Sequence, residues 1–579
     1  MERQPRRLKW LSEVQKAYPG ARRGNSETHG LDSPFAHQTY VPTGLEEALY
    51  QGVINRHFRL VILCGNAGDG KTALLQKLAG QLGIDKTRQP TGTIEHRLPD
   101  GLLVRLNLDG SAAWETGSSN DLLNNLLHPF ANGAPAEDIV HLLAINDGRL
   151  MSWLDGQTTP LARSLRRLLE RQPSDAPHIG FFHLNDRSLV GEFDQNGELR
   201  TDFLDQLLDQ LYGGAEAATI WQKCQTCVAQ PHCRVFEAAR YFGPANLPGV
   251  EVDPHRRHAR QQLYRLFQAV HQRGKIHITI RELRGALVYI LFGMASCDAY
   301  CKEENRRKPY PPFWERAFRT TTPDRQGRLL EELAYFDPAL EAHARLDRAL
   351  LRHYRRIHRL GEARRRAYFT WLPEEIERAG GPGTTLDLAR GRHLATLRRL
   401  PLMSDEEKQA VLVRLGRGLS RLEPLPAPAY RPGRIPFRLH PRTPTDTIFW
   451  VETRLEDFVL ESPLLGVRTS EHGQRGLPEE AFLVYRLPEG GTVRLRLTAD
   501  LFHTLLELEQ GYQLSAATLE QTFAHLSLFI EQVVHAQNQT WYAWHPAHEE
   551  QVYRLAIETR NLGFGYHQVL GIVPENASR

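Results

Sequence analysis

One eight-residue pattern constrains this chain more than any other: Gly65-Asn-Ala-Gly-Asp-Gly-Lys71-Thr72, set between the apolar run Leu60-Val-Ile-Leu-Cys64 and Ala73-Leu-Leu. A backbone that wraps phosphate oxygens must aim N–H groups inward, and glycines permit the dihedrals that a Cβ would obstruct. The spacing predicts a strand, a phosphate-cradling loop and a helix from about Lys71 to Ala79, whose N-terminal partial charge adds to the cradle. Gly65, Asn66, Ala67, Gly68, Asp69, Gly70, Lys71 and Thr72 are therefore candidate nucleotide-binding residues. Lys71 would reach the β/γ-phosphates and Thr72 would ligate Mg²⁺. Asp69 reads as a residue that shapes the loop, not as a base. A chance glycine turn would explain neither the strand before the loop nor the helical pattern after it.

From about Thr43 to Val190, β-runs alternate with helical periodicity, the pattern of a parallel sheet with helices on both faces. Strands are expected at Phe58 to Cys64, Leu102 to Leu108, Ile139 to Ile145 and Ile179 to Leu184. The last three end in polar clusters: Asp109-Gly-Ser111, Asn146-Asp-Gly148 and Asn185-Asp-Arg187. Ligands in open α/β sheets bind beyond the carboxyl ends of the strands, so these clusters should gather around the loop. Hydrolysis also needs an acidic strand end that organises Mg²⁺ and a group that orients water. The usual Asp-Glu pair is absent. Asp147 is the preferred metal-side carboxylate on position, with Asp109 and then Asp186 behind it, and Asn146 and Asn185 are alternative γ-phosphate sensors. All three aspartates also suit turns, since Asn-Asp-Gly and Asp-Gly are turn sequences in their own right. Among Arg187, Arg281 and Arg284, Arg281 is the preferred cation facing the γ-phosphate, although solvated surface is the default for an arginine.

At 579 residues the chain exceeds a single core and suggests about three or four units. The expected order is a polar lead-in over 1–40, an α/β core over 41–200 and a helical lid with a cysteine knuckle over 201–311. An Arg-rich helical region over 312–422, a proline-rich linker over 423–436 and an α+β module over 437–579 follow. In the lid, Thr279 and Glu282 have capping-box spacing, and the apolar run Gly285 to Ala295 reads as a buried helix. In the last module, Phe482 to Leu487 and Thr492 to Leu497 flank a Pro-Glu-Gly-Gly turn and read as a hairpin. No apolar run approaches the roughly 18 residues of a membrane span, and no apolar segment follows the basic Met1-Glu-Arg-Gln-Pro-Arg-Arg. The chain reads as cytoplasmic.

Six cysteines are too few for a disulfide scaffold of this length. Cys224-x₂-Cys227-x₅-Cys233 has the spacing of a metal knuckle and lacks one ligand for closed tetrahedral Zn²⁺, which Cys297, Cys301 or His232 could supply. An iron–sulfur cluster and free buried thiols are the alternatives. Cys64 reads as a small buried residue. Charge is uneven: residues 341–400 hold 14 Arg and no Lys against 7 acids, so this segment carries +7 and the remainder −3. Aromatics interleave with these arginines, which suits contact with DNA phosphates; a solvated helix face or a subunit interface would carry the same signature.

Taken together, the loop, the Ala144-Ile-Asn-Asp-Gly strand end, the cysteine knuckle and the late segment Asp500 to Tyr512 resemble AAA+/STAND-type P-loop ATPases of bacterial anti-phage defence. The chain is similar in particular to the F-type ATPase subunit of DNA phosphorothioation-dependent restriction, with its G-x-x-G-D-G-K-[ST] loop and I-N-x-G strand end. The resemblance implies that Gly65 through Thr72 carry ATP and Mg²⁺, and that Asn146 or Asp147 occupies the acidic or sensor strand end. It further implies partner subunits bearing the effector chemistry, since no nuclease constellation is visible here, and a homo-oligomer is compatible with it. The expected fold is an α/β P-loop NTPase core, AAA+-like, with a helical lid, an Arg-rich helical extension and a C-terminal α+β module. The expected function is an ATP-binding and ATP-hydrolysing switch or motor of a restriction-like complex acting on DNA. A non-hydrolysing nucleotide-dependent scaffold is the alternative, and a P-loop kinase is more distant because no acceptor pocket is marked.

Overall fold

The computed structural model describes residues 8–19, 30–84, 92–111, 118–194, 196–248, 254–302, 310–319, 327–354, 359–379, 387–441, 443–462, 475–477, 481–536, 540–561 and 566–575. The basic Met1 to Arg7 stretch, Arg355 and Arg356 lie outside the described residues. The strand before the glycine loop, β1 (Leu60–Cys64), is buried along its whole length. Such a strand must be covered on both faces, and its period-2 alternation divides the cover. Val61 and Leu63 pack with Leu49, Val53, Leu74, Leu75 and Leu78. Leu60, Ile62 and Cys64 pack on the other side with Leu123, Leu150, Trp153 and Leu165.

β2 (Thr93–Arg97), β3 (Leu103–Asn107), β4 (Ile139–Ile145) and β5 (Ile179–His183) complete a five-stranded sheet of order β2-β3-β4-β1-β5. β1 runs parallel to β4 and β5, β3 runs parallel to β4, and β2 is antiparallel to β3. The four expected strands are present within two residues of their expected ends. β2 is an addition that makes the sheet mixed. Its Thr-Ile-Glu-His-Arg sequence carries little apolar signal because an edge strand has a neighbour on one side only.

The chain divides into two compact units. The first holds Met1–His271, Lys275–Ala389 and Leu465–Leu477. After the sheet come a short pair of strands, β6 (Glu192–Phe193) and β7 (Leu199–Arg200), and a helical region. The expected capping box is formed: the Thr279 hydroxyl accepts from the Glu282 N–H, and the Glu282 carboxylate accepts from the Thr279 N–H. Leu283 and every residue from Gly285 through Phe292 on this helix (Ile280–Phe292) are buried. Arg316, itself buried, closes its C-terminal end by donating to the carbonyls of Ile290 and Leu291.

The second unit holds Gln272–Gly274, Arg390–Leu464 and Pro478–Arg579. The proline-rich stretch 423–436 runs inside this unit and enters β8 (Arg434–Leu439), with Ile435 and Phe437 buried. Pro436 is tolerated because β8 is the edge of its sheet. β9 (Ile448–Arg454) pairs with β8, and β10 (Phe458–Glu461) starts a second sheet. The chain then returns to the first unit, where β11 (Arg475–Gly476) pairs antiparallel with β6. The expected hairpin is β12 (Ala481–Arg486) and β13 (Thr492–Leu497), joined by β10 into a three-stranded sheet. β14 (Thr540–Trp544), β15 (Val552–Asn561) and β16 (Tyr566–Glu575) extend the first sheet to the order β16-β15-β14-β9-β8. Helices Asp405–Leu419 and Ala499–Glu509 cross closely enough that a Cβ on Gly418 would stand 2.0 Å from the Leu505 carbonyl oxygen. Only glycine allows that crossing. Among the described residues, no helix is long and apolar enough to cross a membrane.

Candidate functional site

The loop after β1 has the backbone the spacing predicts. Gly65, Gly68 and Gly70 take φ of 147°, 100° and 88°, and Gly70 is the left-handed N-cap of helix Lys71–Gln81. Side chains at these positions would also collide: a Cβ on Gly70 would meet Ile280 at 2.9 Å, and one on Gly68 would meet Arg281 at 3.1 Å. The start of helix Ile280–Phe292 therefore rests on the loop, and the Arg281 N–H donates to the Gly68 carbonyl at 3.2 Å.

The Lys71 ammonium folds back and donates to the carbonyls of Gly65 (2.8 Å) and Asn66 (2.7 Å). Its pKa lies below the usual lysine range because burial penalises the charge, against the opposing pull of Asp69, Cys64, Asp147 and Asp109. Thr72 donates to the Leu108 carbonyl at 3.2 Å. Asp69 turns inward: its side chain is 2% exposed and one carboxylate oxygen lies 3.0 Å from His277 Nε2. Arg187 braces the same residue by donating to the Asp69 carbonyl.

A cavity of about 370 Å³ opens beside the loop. Gly68, Gly70, Lys71 and Thr72 line it together with Asp109, Asn146, Arg187, Arg281 and Arg284. The strand order accounts for this gathering. β4 lies between β1 and β3, so the carboxyl ends of β1, β3 and β4 open onto one crevice and deliver the loop, Asp109 and Asn146 to it. Asp109 is held by its own turn, its carboxylate accepting from the Ser111 N–H at 2.9 Å.

The preferred carboxylate of the sequence reading, Asp147, is not among the residues lining this cavity. It accepts from the Cys64 thiol at 3.0 Å and lies 2.9 Å from His183 Nε2. Burial would raise its pKa, but the His183 and Cys64 hydrogen bonds outweigh that and hold it below the usual carboxylate range. Asn185 connects this group to the loop, donating to Asp147 at 3.3 Å and accepting from the Asn66 N–H at 3.1 Å. Cys64, buried and hydrogen-bonded to Asp147, is thus more than a small core residue; burial and that carboxylate push its thiol pKa far up. Asp186 pairs with Arg171 instead of facing the loop.

The residues that sequence reasoning missed lie in the lead-in. Leu31, Ala36, Thr39, Tyr40 and Val41 form an apolar wall of the same cavity. The Leu31 N–H donates to Gln76 of the helix behind the loop, and Arg284 donates to Thr39. The signal was available in Ser33-Pro34, an N-cap followed by a proline at the first helical position, which begins helix Pro34–Gln38.

The three knuckle cysteines, Cys297 and Cys301 collect in one neighbourhood, all as free thiols. Burial, then the adjacent Cys233, Cys297 and Cys227, pushes the Cys224 pKa up to about 12, and Cys233 rises to about 11 chiefly through burial. The Cys301 and Cys227 thiols share a hydrogen bond. Among the described residues, the groups of three whose ligand atoms lie within 4.8 Å of one another are Cys64, Asp147 and His183, and His393, His503 and Glu507; no three of the knuckle-region thiols are gathered that closely.

The Arg-rich helices differ most from expectation. Arg364 is 5% exposed, and its Nε donates to Asp347 Oδ1 at 2.7 Å and its Nη2 to Oδ2 at 2.5 Å. Arg365 pairs with Asp337 and Glu315, and Arg366 stacks over Trp314 and Tyr354. These three guanidinium groups are therefore internal cross-links and not a phosphate-binding face. Arg345, Arg348 and Arg352 are exposed, and their spacing puts them on one face of helix Ala344–His353.

Comparisons with protein-family models, with curated proteins and with solved structures found no match to this chain.

Proposed function

We propose that the chain binds a nucleoside triphosphate, with ATP as the expected one, together with Mg²⁺ in the cavity beside Lys71. In this reading it is a P-loop NTPase of AAA+-like type that hydrolyses the nucleotide as a switch or motor. The observation that carries the reading is the convergence of Lys71, Thr72, Asp109, Asn146 and Arg281 on one cavity beyond the strand ends. The loop N–H groups and Lys71 would hold the phosphates, and the apolar wall of Leu31, Ala36 and Val41 would take the base. Thr72 and Asp109 fit Mg²⁺, since an oxygen pair beside the phosphates is the usual donor set for this ion. When bound, Mg²⁺ neutralises charge on the phosphate oxygens. Asn146 would orient water or the γ-phosphate, and Arg281 and Arg284 would offset its charge.

One observation favours the non-hydrolysing scaffold as a second reading: Gly110 follows Asp109, so no second carboxylate stands beside it to activate water. The defence-complex setting, with partner subunits, DNA and a homo-oligomer, rests on the sequence resemblance. DNA contact moves to the Arg345, Arg348 and Arg352 face, and structural Zn²⁺ at the knuckle requires the thiols to draw together. Calorimetric titration of ATP·Mg²⁺ into the wild type and Lys71→Ala tests the central claim. A charge-assisted hydrogen bond is worth about 1.5–3 kcal/mol, so the variant should bind roughly 10- to 150-fold more weakly. Equal affinity would refute the site. Phosphate release by the wild type separates the motor from the scaffold.

A further inference from the structure

The second unit places three metal-ligating side chains together far along the sequence from the glycine loop. His503 and Glu507 are one turn apart on helix Ala499–Glu509, a spacing that puts both on one face. His393 comes from the residue before helix Leu394–Arg399. One donor atom from each lies within 4.8 Å of the other two. His393 Nε2 stands 2.8 Å from Glu507 Oε1, and the two imidazole rings are tilted by 43° with centroids 5.5 Å apart.

We propose that His393, His503 and Glu507 form a binding site for a divalent transition-metal ion, Zn²⁺ foremost. Two imidazoles and one carboxylate are borderline donors that suit Zn²⁺, Co²⁺ or Ni²⁺ far better than Ca²⁺ or Mg²⁺, which take oxygen-only sets. Three protein ligands leave a fourth position for water or another small ligand. Two features suit the surroundings to such an ion. Arg392 lies 3.4 Å from Glu507 and supplies the outer hydrogen bond that commonly orients a ligating carboxylate. His393 is buried while His503 and Glu507 are half-buried, which leaves the ion a path in. Its ligands include none of the residues lining the cavity beside Lys71 and none of the knuckle cysteines.

The test uses the full chain titrated with Co²⁺ and, separately, with Zn²⁺ followed by metal analysis after dialysis. Cobalt held by imidazole and carboxylate shows d–d absorption, whereas cobalt held by cysteine adds thiolate charge transfer, so the knuckle is read apart from this site. Loss of an outer-shell partner costs metal sites 10- to 100-fold in affinity, so loss of a direct ligand should cost at least about 100-fold. The wild type should hold one equivalent more than His503→Ala, with the thiolate band unchanged between them. Alanine preserves the helix, and His393→Ala on a different element guards against a local folding defect. Equal stoichiometry and affinity in the wild type and both variants would overturn the assignment and leave the three residues as a hydrogen-bonded structural cluster.

Discussion

Replacing Arg364 by Met should loosen the helices around it by several kcal/mol. The guanidinium is buried against Asp347, itself 8% exposed, through two hydrogen bonds, and it also donates to the carbonyls of Ala339 and Glu341. The substitution leaves the carboxylate buried with the His343 N–H still donating to it and deprives two carbonyls of their donor. Breaking a buried pair from one side costs about 3–5 kcal/mol, because the abandoned charge stays out of water. Hydrogen–deuterium exchange reads this locally, without requiring the whole chain to unfold in one step. Amides within 344–354 and 359–370 should exchange roughly 150- to 5,000-fold faster, at about 1.4 kcal/mol for each factor of ten. Arg364→Met combined with Asp347→Leu should recover most of the protection, since an apolar pair of similar volume often matches a buried ion pair. The wild type adds a pH test. Burial would raise the Asp347 pKa, yet the Arg364 pairing and the His343 N–H hold it below its unfolded value of about 3.9. The pair's contribution is therefore present above about pH 4 and lost as pH falls through the lower folded pKa. Exchange in Arg364→Met within threefold of wild type would refute the reasoning.

Three further outcomes are expected. Asp109→Asn should weaken the Mg²⁺ dependence of nucleotide binding at least about tenfold while Asp147→Asn leaves it within about threefold, since only the former faces the cavity; the reverse ranking in a metal titration would restore the sequence-based preference. About one zinc per chain should co-purify through Cys224, Cys227, Cys233 and either Cys297 or Cys301, as metal analysis of Cys224→Ser against wild type would show by its loss. Replacing Arg345, Arg348 and Arg352 with Gln should reduce DNA affinity for all sequences alike and flatten its salt slope by about 0.9 per lost phosphate contact, measured by fluorescence anisotropy; an unchanged slope would exclude this face.

Local chemistry made part of the structure legible. β1 and β4 are unbroken apolar runs bounded by turn residues, and Thr279 with Glu282 is a cap that needs no tertiary help, so both could be read from neighbouring residues alone. What depended on pairing distant segments was not legible. Asp109 and Asp147 look alike as residues just past a strand; strand order and side-chain partners, Cys64 and His183 in the case of Asp147, decide which one faces the cavity. The Arg364 run showed its charge in the sequence but not Asp347 and Asp337, which face it from 17 and 28 residues away. The lead-in wall was hidden because Leu31 and Val41 are single apolar residues in polar surroundings.

The return of the chain to place β11 against β6 has a consequence during synthesis. The small sheet of the first unit cannot close until roughly 280 residues beyond β7 have left the ribosome, which at 5–20 residues per second means a wait of roughly 15–55 s. Until then β6 presents an open edge, and a polypeptide cut anywhere between the two segments would carry that edge permanently. The two units are thus separate as folded bodies and inseparable as products of one linear message.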